Sequence, residues 1–246
     1  MKRIFICLAC LLVGCGSMAK SPYRIAVDPS WYPLDLMGKE ANVYAFSSDI
    51  LKAISKKEGI PIDRVNVSWD DTLEGLQKDL YDGVLSPLPP YNFNRAKYDF
   101  SDLYLPTGYV LVIPARSSMK QLKKMQDAEI AVQKDSEAER ILDLYPSTIP
   151  RFYVSPSVAL DKLAKGEYKG VIMNVIPAVS FIEDKYADQL KISGDPLNDA
   201  GLRLIAIKGK RSELIEQFNE GLKKIKRDGT FDKLVEKWNV GIAALD

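Results

Sequence analysis

Arg95 is the residue whose type and setting most clearly indicate ligand chemistry. It lies within residues 81–104, YDGVLSPLPPYNFNRAKYDFSDLY, where an apolar run at residues 83–86 precedes a proline-rich loop and then the arginine. The planar guanidinium fork, with five N–H donors, suits a carboxylate or a phosphate. Small ligands commonly bind at the carboxyl ends of strands in an α/β sheet, where this loop is predicted to lie. The alternative is a surface arginine paired with Asp99 or Asp102.

The composition narrows the possible classes of function. The 246 residues are 46% hydrophobic, which is sufficient for a buried core in one or two domains. The 34 basic and 33 acidic residues are scattered, so no basic patch for a nucleic-acid partner is predicted. Histidine is absent, which excludes histidine-based triads and zinc sites built on imidazole ligands. We expect no cofactor and no metal.

The amino-terminal segment has the pattern of an export signal. A basic start is followed by an apolar run at residues 4–13, too short to cross a bilayer. All three cysteines lie in the first 15 residues, and residues 1–15 end in LVGC, which resembles a bacterial lipobox. That motif predicts acylation of Cys15 (with palmitate among the acyl chains), a tether at residues 16–22, and a protein held at a membrane in the periplasm or at the cell surface. The alternative is a plain secretory signal cut after Ala19.

Beyond the tether, strand and helix patterns alternate along the chain. The first group predicts strands at residues 23–27, 65–69 and 83–86, with helices at residues 47–57, capped by Ser47 or Ser48, and 73–80. A second alternation predicts strands at residues 129–133, 151–154 and 171–174, with helices between them, and terminal helices at residues 212–226 and 230–238. Two strongly β-forming runs, residues 109–114 and 202–207, are placed to carry the chain out of one lobe and back.

Five segments in this order resemble a known family over residues 22–240. They are IAVDPSWYP, AFSSDILKAISKKEG, DGVLSPLPPYNFNRAKYDFSDLY, LKKMQDAEIAVQKDS and DGTFDKLVEKW. The family is that of the extracytoplasmic solute-binding proteins, family 3, of polar amino-acid ABC transporters. The resemblance implies an α/β, type II periplasmic-binding-protein fold: two doubly wound αβ lobes, joined by two hinge strands, with a ligand cleft between them. We expect residues 23–108 plus 206–246 in lobe 1 and residues 109–205 in lobe 2.

The resemblance also assigns roles to individual residues. Arg95 matches the arginine that grips the ligand's α-carboxylate, and the predicted binding set is completed by Asp28, Trp31, Trp69, Ser86, Asp135, Ser136 and Asn174. Trp31 and Trp69 fall where the family places aromatic rings against the ligand, with core packing the alternative for Trp69. Ser136 falls at a helix start that holds the carboxylate.

Three departures from the family pattern concern the ligand. Pro87, Pro89 and Pro90 occupy a loop that usually offers free N–H groups, and proline has none. Asn174 replaces the aspartate that binds the α-ammonium, and an amide oxygen carries no counter-charge. Asp135 replaces a glycine. Either Asp135 supplies the missing charge, or the solute is a different small carboxylate or a peptide.

These observations predict the substrate-binding component of an ABC importer. It would be a monomeric, non-enzymatic protein that closes on a small carboxylate-bearing solute, an amino acid or a related compound, and delivers it to a permease in the inner membrane. The alternatives on the same fold are an enzyme similar to the periplasmic cyclohexadienyl dehydratases, with Asp135 and Lys134 as the nominated pair, and a ligand-sensing module.

Overall fold

A computed structural model describes residues 21–118 and 121–241. The predicted signal peptide and the acylated Cys15 lie outside these residues. None of the helices within residues 21–118 and 121–241 has both the length and the apolar composition of a membrane span.

The described chain alternates strands and helices throughout. The strands are β1 (Tyr23–Val27), β2 (Ile62–Asn66), β3 (Gly83–Ser86), β4 (Tyr98–Phe100), β5 (Leu105–Pro106), β6 (Tyr109–Pro114), β7 (Glu129–Gln133), β8 (Ile149–Tyr153), β9 (Gly170–Asn174), β10 (Leu190–Ser193) and β11 (Gly201–Ile207). The α-helices are α1 (Glu40–Glu58), α2 (Trp69–Gln77), α3 (Asn92–Arg95), α4 (Glu137–Leu142), α5 (Pro156–Ala164), α6 (Val175–Phe181), α7 (Ser212–Arg227) and α8 (Thr230–Trp238). A 3₁₀ turn at Leu122–Lys124 and a π-helical turn at Ile182–Tyr186 complete the set.

The strands form two sheets, one in each lobe. The first has the order β2-β1-β3-β11-β4, with β5 also paired to β11, and the second has the order β10-β6-β9-β7-β8. Strands β1, β2 and β3 are parallel, as the alternating pattern predicted, and β7 is parallel to β8 and β9. Both sheets are mixed, because β11 runs antiparallel to β3 and β6 runs antiparallel to β9. The two-lobed α/β prediction is confirmed.

The core of the first lobe is built on α1. Its residues Val43, Phe46, Ile50 and Ile54 are fully buried at helical spacing. Helix α7 approaches α1 closely at Gly221, where a Cβ would lie 2.7 Å from Ile54 Cγ2. The loops that follow the carboxyl ends of β1 and β3 lie on the side of the first sheet that faces the second lobe.

Several predicted boundaries were wrong. Helix α1 begins at Glu40 rather than at residue 47, and Ser47 and Ser48 are buried within it instead of capping it. The Ser47 hydroxyl lies 2.9 Å from the phenol oxygen of the fully buried Tyr104. The second strand is β2, and the residue predicted to end that strand, Trp69, instead begins α2. The short elements α3, β4, β5 and β10 were not predicted.

The chain passes between the lobes along two antiparallel segments, residues 107–109 and 197–200. Thr107 N donates to Ala200 O at 3.0 Å, and Leu197 N donates to Tyr109 O at 2.7 Å. Strand β11 pairs with β3, β4 and β5 of the first sheet, so residues 201–205, expected in lobe 2, lie in lobe 1. The return crossing therefore precedes Gly201 and does not run through the strand itself.

Gly108 and Asn198 are in close contact where the two segments cross. Asn198 Oδ1 accepts a hydrogen bond from Tyr109 N at 3.0 Å, and a Cβ on Gly108 would lie 2.2 Å from the same oxygen. We expect Gly108→Ala to displace the Asn198 side chain and to lower the free energy of unfolding by about 1–3 kcal/mol, as overpacking does. Urea unfolding measures this change.

The control for this prediction is Asn198→Ala. In the Asn198→Ala background there is no amide side chain to displace, so Gly108→Ala is expected to lower the free energy of unfolding by less. A double-mutant cycle measures this difference. If Gly108→Ala lowered the free energy of unfolding equally in the two backgrounds, the close contact between Gly108 and the Asn198 side chain would be contradicted.

Candidate functional site

A cavity of about 580 Å³ lies between the two lobes, beside the crossing segments. Both lobes and the crossing itself contribute to its wall. The lining residues are Pro33, Leu34, Asp35, Pro87, Pro89, Pro90, Tyr91, Arg95, Thr107, Tyr109, Glu137, Asn174, Asn198, Asp199 and Ala200. Its size is within the range of small-molecule sites, and its position is that expected for a ligand that contacts both lobes.

Arg95 enters this wall from the end of α3. Its Nε donates to Pro90 O at 2.8 Å, and its guanidinium carbon lies 5.7 Å from the centre of the Phe100 ring. Among the residues that the structure describes, no carboxylate forms an ion pair with it, because Asp99 accepts from Lys208 Nζ at 2.6 Å instead. The bond from Nε orients the guanidinium, and its two terminal nitrogens make no hydrogen bond within the described chain, so both remain available to a bidentate acceptor.

The proline loop forms a wall of the cavity that lacks backbone donors. Pro87, Pro89 and Pro90 line it and have no N–H to offer. The nearby Leu88 N is engaged by Ser86 Oγ at 3.1 Å. This side of the cavity therefore supplies apolar contact, carbonyl oxygens and one cationic side chain, that of Arg95.

The opposite wall carries Asn174, at the end of β9, and Glu137, the first residue of α4. Tyr109, the first residue of β6, pairs with Asn174 and lines the same cavity. Burial raises the pKa of the Tyr109 phenol, and the negative charges of Glu137 and Asp35 raise it further. The positive charge of Arg140 acts in the opposite sense, but the pKa of the phenol remains raised.

Trp31 does not line the cavity. Its ring is 1% exposed and belongs to the core around α1, so in this structure it offers no face to a ligand, contrary to the expected stacking role. The neighbouring Tyr32 is 60% exposed and contacts the half-buried Trp69 edge-on, with ring centres 6.1 Å apart. The exposed aromatic side chain of this loop is thus Tyr32.

Four other predicted residues have local structural contacts. The buried Asp28 accepts from Ser30 N at 2.9 Å, and the buried Ser86 accepts from Leu88 N. Ser136 caps α4, accepting from Glu139 N at 3.4 Å and donating to Gln133 O at 2.6 Å. The exposed Asp135 has a φ of 56°. None of these four belongs to the cavity lining, whereas Arg95 and Asn174 both do.

Several polar lining residues were not predicted, among them Asp35, Thr107 and Glu137. Asp35 follows the first strand by eight residues, and Glu137 is next to the predicted Ser136. In the sequence, only this closeness to predicted positions could have indicated that they line the site. Nothing in the sequence distinguishes Thr107, because its relevance to the site comes from the burial of its hydroxyl group in the folded protein. Within the described ranges, no group of three or more acidic, cysteine or histidine side chains is placed to hold a metal ion.

Two αβ lobes, two crossing segments and a cavity between the lobes define a two-lobed binding protein. Residues 23–241 match the family model of the bacterial extracellular solute-binding proteins, family 3. The chain belongs to this family.

Individual relatives and solved structures agree with this assignment. The arginine-binding extracellular protein ArtP of Bacillus subtilis is 25% identical, with 96% of this chain and 95% of ArtP covered. A probable histidine-binding protein of Neisseria gonorrhoeae is 23% identical, with coverage of 94% and 92%. The unliganded, open L-cystine solute receptor of Neisseria gonorrhoeae superposes with a TM-score of 0.71 at 19% identity, covering 90% of this chain and 94% of the receptor. That similarity establishes the fold.

Proposed function

We propose that this protein captures a free amino acid in the cleft between its lobes and delivers it to an ABC permease in the inner membrane. One observation supports the site most strongly: Arg95, unpaired within the described chain and oriented by Pro90 O, lines the interlobe cavity. A guanidinium fixed in this way is suited to an α-carboxylate. The relatives from Bacillus subtilis and Neisseria gonorrhoeae are named for the binding of arginine and histidine, which are amino acids.

Closure would follow from contacts that the ligand makes to both lobes. Arg95 approaches from lobe 1, while Asn174 and Glu137 approach from lobe 2. A solute that contacts both walls binds the closed arrangement better than the open one and shifts the population towards it. The crossing segments around Gly108 and Asn198 are where the backbone rotation would take place.

A thermal-shift panel tests the proposal. Protein comprising residues 16–246, with Cys15 removed, is heated with each of the twenty amino acids, L-cystine, succinate or a dipeptide. A ligand at 100 times its dissociation constant is expected to stabilise the fold by about 2.7 kcal/mol, a rise in melting temperature of several degrees. A shift with at least one amino acid supports the proposal. No shift with any of them, at millimolar concentrations and with a cooperative transition retained, would contradict it.

We also propose that the protein is a monomer anchored by an acylated Cys15 and has no enzymatic activity. The LVGC motif supports the anchor, and Asp135, the nominated acid, lies outside the cavity lining. Full-length protein is expected to remain with membranes and Cys15→Ser to leave them; equal fractionation of the two would reject the anchor. Prephenate and arogenate are expected to remain unconverted, and sedimentation should give the monomer mass.

A further inference from the structure

Three carboxylates line the cavity, and two of them lack a cationic partner. Asp199 is paired with the buried Arg203, its Oδ1 lying 2.8 Å from Nη2. Asp35 and Glu137 form no ion pair among the described residues; Asp35 Oδ1 accepts from Met37 N at 3.2 Å. The cavity wall therefore carries two uncompensated negative charges besides the positive charge of Arg95.

These two carboxylates come from opposite lobes. Asp35 lies in the loop after β1, whereas Glu137 begins α4 after β7. Both residues line the same cavity, and both charges raise the pKa of the Tyr109 phenol, against the opposite effect of Arg140. Two like charges that meet across a cleft repel each other, and a cation between them would convert the repulsion into attraction.

Thr107 provides an independent indication of a ligand at this place. Thr107 is 5% exposed and lines the cavity, and its Oγ1 is buried without a hydrogen-bond partner in the described chain. An unpaired buried hydroxyl is unfavourable, and such groups in native proteins usually have a partner. Asp35 and Glu137 line the same cavity, and an N–H donor of a cationic ligand held by them would satisfy the acceptor lone pairs of this hydroxyl.

We propose that Asp35, Glu137 and Thr107 form an acidic subsite that binds a cationic nitrogen of the ligand, an ammonium or a guanidinium. The subsite supplies the charge that Asn174 cannot supply. Arg95 holds the carboxylate of the same ligand, so a cation-bearing amino acid would connect the two lobes, whereas a dicarboxylate would meet repulsion. This inference rests on the proposed function and specifies its ligand chemistry.

Calorimetric titration of single variants tests the subsite. The probes are L-arginine and any other amino acid that stabilises the wild type in the panel. Asp35→Asn and Glu137→Gln are each expected to weaken binding about tenfold or more, with a smaller loss at 1 M salt. Glu236→Gln, which makes the same charge change on the exposed face of α8, is expected to leave the affinity unchanged.

Thr107→Val separates a ligand role from a structural role. The substitution removes the unpaired hydroxyl at nearly constant volume, so we expect the midpoint of unfolding to be retained or raised while affinity falls several-fold. Affinities within twofold of wild type in all three variants would overturn the subsite and leave the amino-acid function standing. A wild type that binds no amino acid would overturn both. Binding of succinate as tight as that of amino acids would reject the cationic specificity.

Discussion

Arg95→Ala is expected to weaken amino-acid binding by about 2–5 kcal/mol, which is roughly a 30- to 5,000-fold rise in the dissociation constant. The loss is large because the variant removes the only cationic side chain that lines the described cavity. Isothermal titration with the tightest-binding amino acid of the panel measures it. Arg95→Lys keeps the charge but not the planar fork, so an intermediate loss is expected.

The fold should survive this substitution. Within the described chain, the Arg95 side chain makes one hydrogen bond, to Pro90 O, and one contact with the Phe100 ring. The expected change in the free energy of unfolding is therefore about 1 kcal/mol. Arg227→Ala, at an exposed position of α7, is the matched control and should alter neither property. Unchanged affinity in Arg95→Ala would remove the arginine from the site.

Trp31→Ala is expected to have the largest effect on stability. The indole is fully buried against the core of α1, and truncation of a buried tryptophan costs about 3–5 kcal/mol. For a chain of this size the melting temperature should fall by roughly 6–20 °C, as measured by calorimetry.

Trp69→Ala is the comparison for Trp31→Ala. Its ring is half-buried and contacts Tyr32 edge-on, an interaction worth about 0.5–1.5 kcal/mol beyond the buried area, so a smaller loss of stability is expected. If Trp31→Ala retained the melting temperature and abolished binding instead, Trp31 would be the ligand-stacking residue that the family resemblance implied.

The elements with regular hydrophobic patterns were predictable from the sequence. Strands Tyr23–Val27, Gly83–Ser86 and Tyr109–Pro114 have the predicted bounds, because buried strands of an α/β sheet are short runs of apolar residues. The start of α1 was missed because its first residue, Glu40, follows Lys39, whose side chain makes no capping hydrogen bond. Without a capping residue, no sequence signal marked this boundary.

The site was predictable only in part, because its residues come from both lobes and are brought together only when the lobes are arranged as in the structure. Arg95 and Asn174 belong to motifs and were found, and both line the cavity. The backbone at Trp31 has a φ of 57°, the indole lies in the core, and the adjacent Tyr32 is exposed. The composition does not determine which of these two aromatic residues is buried. The presence of Asp35 and Glu137 in one cavity likewise depends on the arrangement of the two lobes.

A crystal structure of the complex with the tightest-binding amino acid would test the central claim most directly. We expect the ligand in the cavity between the lobes, its carboxylate accepting two hydrogen bonds from Arg95 at about 2.7–2.9 Å and its other end contacting the second lobe. A ligand bound elsewhere, for example in the surface groove beside Ser48 and Arg64, would contradict this account. So would a ligand in the cleft that makes no contact with Arg95.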